Sequence, residues 1–168
     1  MSNQRGFTLV ELMVVVAIIA LIASIVIPNY VHARAQAAVA DSEANLKQIA
    51  TALELYYADL QCYPGGTCAG AAGGAGGGGG TTVTPALFGG ANNPYLNVIP
   101  TDDVGHQPYG YAIAGAGAAQ SYELSDPASY DASLLQGLQQ LGGTACATTC
   151  TYIHYSPQAG LYGSNSAT

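Results

Sequence analysis

Charge is what this 168-residue chain has least of. Asp, Glu, Lys and Arg together make up 8% of it, about a third of the share usual in a soluble globular domain. Basic residues are scarcest, three against ten acidic ones, for a formal charge of −7. Affinity for nucleic acid is assembled from clustered Lys and Arg that neutralise phosphates. That shortage argues against nucleic-acid capture by this chain alone. Trp is absent, Phe occurs twice and Met twice. No GxSxG element is present to hold a serine nucleophile on a sharp turn. The histidines, His32, His106 and His154, are scattered, and read as an exposed helix position, a turn and a strand. An enzyme, membrane-tethered or not, is therefore the weaker class of reading. Long apolar runs are also missing, with one exception.

That exception lies at the front. From Leu12 to Ile27 the only polar side chain is Ser24, and extension back to Phe7 adds only Thr8 and Glu11. A helix over Phe7–Ile27 would be roughly 31 Å long, enough to cross the hydrocarbon core of a bilayer. A secretory signal would carry a shorter apolar stretch and a small-x-small exit before any proline. Here Ala33-Arg34-Ala35 falls beyond Pro28. A plain anchor fits the length but leaves Glu11 unexplained, since a carboxylate in hydrocarbon costs several kcal/mol unless paired.

Arg5-Gly6-Phe7-Thr8-Leu9-Val10-Glu11 resembles the processing site of type IV pilins and of the related type II secretion pseudopilins. A short leader with a basic residue, then Gly, Phe, Thr, Leu, a branched residue and Glu, precede the apolar helix and Pro28. The resemblance implies cleavage between Gly6 and Phe7 by a membrane-embedded prepilin peptidase, which also methylates Phe7. It implies that Glu11 offsets the terminal amine of a neighbouring subunit when the helix leaves the bilayer for a filament. Partners implied are other copies of the chain, the peptidase, an inner-membrane assembly platform and, before assembly, the membrane itself. The N-terminus would face the cytoplasm, and the assembled filament would be periplasmic or extracellular. Ala20 and Ser24, at small-xxx-small spacing, would let helices approach closely.

The helix is expected to continue to about Gln61, with Pro28 bending or locally melting it. Leu46, Ile49, Leu53, Tyr56 or Tyr57, and Leu60 recur at steps of three and four, an amphipathic stripe. Glu43 and Lys47 stand in the favoured i,i+4 order. Pro64-Gly65-Gly66 closes the segment. Of residues 65–80 ten are Gly. Gly74–Gly79 satisfies GxGxxG only as any glycine run does, without the strand, Lys or acidic residue a phosphate site needs. This reads as a solvated loop.

Beyond it, Gly110–Ile113 and Ser121–Leu124 are short β-compatible runs, and Tyr152–Tyr155 and Leu161-Tyr162 flank a hairpin at Pro157–Gly160. Leu134, Leu135, Leu138 and Leu141 predict a short helix over 131–141. The fold class is α+β: a long N-terminal helix, transmembrane in front and amphipathic behind, packed by its rear half on a small antiparallel sheet of three or four strands. The organisation is a leader (1–6), a membrane and assembly half-helix (7–28), an amphipathic half-helix (29–63), a Gly-rich loop (64–90) and a β-sheet head (91–168).

Two internal stretches extend the resemblance. Tyr95-Leu96-Asn97-Val98-Ile99-Pro100-Thr101-Asp102, followed by Gly105, Tyr109 and Tyr111, is similar to a segment of major pseudopilins, as is Leu53-Glu54-Leu55-Tyr56-Tyr57 with Tyr63-Pro64. The glycine loop, the lack of Trp and the added cysteines depart from the secretion pseudopilin. They place a subunit of a type IV pilus-like filament first and a major pseudopilin of type II secretion second. No cofactor motif is present. Some pseudopilins hold calcium in a head loop, and Asp102, Asp103, Asp126 and Asp131 are the oxygen ligands this chain offers. Cys62, Cys68, Cys146 and Cys150 lack zinc-site spacing and read as two disulfides of an exported protein. Local pairs, Cys62–Cys68 and Cys146–Cys150, come first among three connectivities.

Overall fold

The computed structural model describes residues 6–66, 82–88, 94–114, 120–135, 139–140 and 150–165. One helix, α1 (Leu9–Leu60), leads into a short 3-10 turn (Pro85–Phe88). Five strands follow: β1 (Gly110–Ala114), β2 (Ser121–Ser125), β3 (Gln139–Gln140), β4 (Tyr152–Ser156) and β5 (Gly160–Ser164). The chain divides into two compact units, Met1–Ala37 and Ala38–Thr168.

In the first unit α1 carries helix formers and a solvent-facing apolar surface all round, with Phe7, Leu9, Val16, Ile22 and Val31 among the exposed side chains. The helix runs through Pro28 without a break, so a lost N–H there does not melt the rod. Ser24 turns its hydroxyl inward and donates to the Leu21 carbonyl at 2.7 Å, which spares it an unpaired polar group in an apolar surround.

In the second unit the predicted stripe becomes the core. Leu46, Ile49 and Leu53 are fully buried and join Tyr56, Tyr122, Leu124 and Ile153 in one cluster. Leu60 departs from the expectation and is exposed. The helix ends there because Gln61 adopts a left-handed conformation (φ 56°). Its own side-chain amide donates to the carbonyls of Tyr57 and Ala58, at 3.4 and 3.3 Å, closing a helix end that usually calls for Gly or Asn. The Lys47–Glu43 pair forms at 3.9 Å.

The sheet order is β1-β2-β4-β5-β3. Four strands are antiparallel, and β3 pairs in parallel with β5, Gln139 beside Tyr162. The hairpin expected at Pro157–Gly160 joins β4 to β5, with Gly160 at φ 70° supplying the left-handed turn position. The helix expected over 131–141 is not what forms. Residues 132–135 make a turn, and Gln139–Gln140 are extended. Asp131 tightens that turn by accepting from the Ser133 N–H and hydroxyl. Gly137, inside the leucine pattern, weakens a helix too short to nucleate by itself.

Tyrosines do much of the packing. Tyr57 stacks on Tyr63, which meets Tyr122 edge-on at 4.8 Å between centroids. Tyr122 also donates its hydroxyl to the Ala50 carbonyl of α1. Burial pushes Tyr63 up to about 12, helped by the neighbouring Glu54 carboxylate. It also raises Tyr111, Tyr122, Tyr130 and Tyr162 well above the usual phenol range. An unfolded tyrosine loses its proton near 10. The stability these phenols hold is therefore complete below pH about 10 and lost as pH climbs through 10 to 12 and beyond. An ultraviolet titration should show these tyrosines ionising only together with loss of tertiary structure. Ionisation of all twelve in one reversible step near pH 10, with the fold intact, would contradict the packing.

Candidate functional site at the helix N-terminus

The processing motif lies at the start of α1. Thr8 is the N-cap: its carbonyl accepts from the Leu12 N–H at 3.3 Å. Its hydroxyl accepts from the Glu11 N–H at 3.2 Å. In return the Glu11 carboxylate takes the Thr8 N–H at 3.0 Å and the Thr8 hydroxyl at 2.8 Å, both on Oε2. This is a reciprocal capping box, which satisfies orphan donors at the helix start and places the negative charge at the favourable end of the helix dipole. The Thr-x-x-Glu spacing signals it in the sequence, where attention to Glu11 alone misses the contribution of Thr8. Phe7, just outside the cap, is 85% exposed. A Cβ built on Gly6 would meet nothing within 4 Å. Among the described residues no neighbour requires glycine at that position.

Around this cap the helix is bare. Among the described residues one helix, α1, is long and apolar enough to cross a membrane, and none of that apolar stretch is buried. Leu12, Met13, Val16, Ala17 and Ala20 form a shallow apolar surface just past the cap.

The family model for the prokaryotic N-terminal methylation motif matches residues 1–27. The type II secretion system core protein G of Pseudomonas aeruginosa is 35% identical over 113 residues, 67% of this chain and 76% of that protein. The chain belongs to the type IV pilin and pseudopilin family. Membership makes it a structural subunit, not an enzyme. The type IV major pilin protein PilA of Myxococcus xanthus is 42% identical over 61 residues, 36% of this chain and 28% of that pilin. The type IV wide pilus major component of Thermus thermophilus is 39% identical over 69 residues, covering 41% of this chain and 53% of that protein. No solved structure matches.

In this pilin-family head the two buried acidic residues offered for calcium, Asp102 and Asp126, are engaged by hydrogen bonds of the chain itself. Asp102, buried, accepts from the backbone N–H groups of Val104 and Gly105 at 2.6 and 2.5 Å. Asp126, also buried, accepts from the Ala128 N–H at 2.9 Å and the Tyr130 hydroxyl at 2.7 Å. Tyr130 in turn meets Ser42 of α1 at 2.6 Å, so this carboxylate ties the segment that follows β2 to the helix. Asp131 serves its own turn, and Asp103 is exposed. Among the described residues no three His, Cys, Asp or Glu are placed to hold one metal ion.

Cys62 and Cys150 are fully buried and disulfide-bonded. Cys68 and Cys146 lie outside the described residues, as does the Gly74–Gly79 run. His32 is exposed on α1, and His106 sits in a turn at φ 52°. His154 is on β4 as expected, but it is buried among polar partners that the sequence did not announce.

Proposed function

We propose that this chain is a prepilin, cut between Gly6 and Phe7, methylated on Phe7, and polymerised through α1 into a type IV pilus-like filament. The observation that carries this reading is a capped helix start followed by an apolar rod with no burial of its own. Such a surface is costly in water and is accommodated first by lipid and then by neighbouring helices. The open surroundings of Gly6 support the cleavage reading. No packing contact among the described residues calls for a glycine there, whereas a peptidase working on an extended backbone does. Glu11 Oε2 is engaged by Thr8, and Oε1 is the atom left to receive the amine of the neighbouring subunit. Before assembly the chain sits in the inner membrane with Met1–Gly6 toward the cytoplasm. The peptidase and an assembly platform are its partners there. Two disulfides, Cys62–Cys68 and Cys146–Cys150, fit an oxidising compartment, and the reading calls for no cofactor.

A second reading, a major pseudopilin of type II secretion, is favoured by one specific observation. The alignment with core protein G extends into the head, whereas the alignment with the Myxococcus pilin covers 61 residues. Both readings share one test, mass spectrometry of the native N-terminus. A mature chain starting at methylated Phe7 is expected; an intact Met1, or a start at Gln36, would sink the proposal. Filaments sheared from the cell surface favour the pilus, and filaments confined to the periplasm favour the pseudopilus.

A further inference from the structure

On one face of the sheet three strands bring Glu123, His154 and Ser164 into line. His154 Nδ1 lies 2.8 Å from Glu123 Oε1, and His154 Nε2 lies 2.8 Å from Ser164 Oγ. Tyr162 donates its hydroxyl to the same Glu123 oxygen at 2.6 Å and stacks on the imidazole at 5.4 Å between centroids. Glu123 is thus the acceptor of two donors, which places the imidazole proton on Nδ1. Nε2 is then left to accept from Ser164. The imidazole is 2% exposed, while Glu123 remains half open and Ser164 is part-buried at the end of β5. The Ser164 carbonyl is pinned by the Thr151 N–H at 2.8 Å, so the serine is held in place rather than carried on a free end.

We infer that Ser164 is an activated hydroxyl, an acceptor site for an acyl group on the pilin head. The relay has the parts that make a serine nucleophilic: an imidazole nitrogen at hydrogen-bond distance, fixed in the right tautomer by a carboxylate behind it. In the step proposed, Ser164 Oγ bonds to the acyl carbon of an activated ester, and its proton passes to His154 Nε2. The ester's C–O bond breaks, and the departing alkoxide takes that proton to leave as the alcohol. The acyl group stays on Ser164 as an ester, with no change of oxidation state. This is a single modification per chain, consistent with a structural subunit, and it does not depend on how the N-terminus is processed.

The test uses the full chain in detergent micelles with p-nitrophenyl acetate as the acyl donor. Released p-nitrophenol is followed in time, and acetylated peptides are located by mass spectrometry. General-base assistance is commonly about 10²-fold or more. Ser164 is therefore expected to be acetylated about 10²-fold faster than Ser129, which is exposed and lies outside the relay. Ser164→Ala should remove the fast phase. His154→Gln should slow Ser164 to the rate of the control serine. Glu123→Gln keeps an acceptor for Nδ1 and Tyr162, so it should fold and slow the reaction several-fold. Acetylation of Ser164 no faster than that of Ser129, or a fast reaction unchanged by Glu123→Gln and His154→Gln alike, would overturn the inference.

Discussion

A Glu11→Ala chain is expected to be made, inserted and processed at Gly6, yet to give almost no filament. Two losses combine. The capping box goes, which loosens the start of the helix. The larger loss falls on the next subunit, whose terminal amine then enters an apolar surround without a carboxylate; an unpaired buried charge costs about 3–5 kcal/mol. At 1.4 kcal/mol per factor of ten, each subunit contact weakens by roughly 10²- to 4 × 10³-fold. The measurement is the ratio of sheared filament to membrane-bound mature chain. Glu11→Gln separates the two terms. A glutamine still serves a capping box and keeps the Thr8 contacts, but it has no charge to pair. Normal filament yield from Glu11→Gln would assign Glu11 to helix capping alone and refute the pairing.

The sequence was most legible where periodicity and length carry the physics. Leu46, Ile49 and Leu53 declare a buried helical stripe by spacing alone, and all three are in the core. Strands β1, β2, β4 and β5 were each anticipated within two residues of their bounds, because aromatic and β-branched runs between turn residues have few other uses. Reading failed where the decisive force is long-range. The leucines of 131–141 have helical spacing, but the two residues Gln139–Gln140 pair with β5 instead, a contact no local window contains. Leu60 belongs to the stripe on paper, but it is the last residue of α1 and is exposed. The capping box is legible in the spacing of Thr8 and Glu11, three residues apart. The Glu123–His154–Ser164 relay was not legible at all, for its members are brought together only by the order of the strands.

That contrast between local and non-local design is sharpest at Asp102, the site of the second large effect. The Pro100–Gln107 loop has little apolar surface of its own: Val104 is exposed, and so are Asp103, Gly105 and His106. What orders it is a carboxylate 1% exposed, accepting from the Val104 and Gly105 N–H groups, while the Asp102 N–H donates to the Gln107 carbonyl at 2.9 Å. The same loop holds His106 in its left-handed conformation and leads directly into Tyr109, a fully buried residue. Hydrogen bonds to a charged group each contribute about 1.5–3 kcal/mol. Asp102→Ala, which removes two of them and leaves a void, is expected to lower head stability by about 3–5 kcal/mol in urea unfolding followed by near-ultraviolet circular dichroism. Asp103→Ala, one position along but exposed, should change it by no more than about 0.5 kcal/mol. The pair also bears on calcium. If the loop works as a self-contained turn, the difference between the variants is the same with added calcium or with a chelator. If instead the wild-type chain gains stability with calcium, and both variants lose that gain, Asp102 and Asp103 act together as cation ligands and the hydrogen-bonded turn is only the metal-free form of the loop.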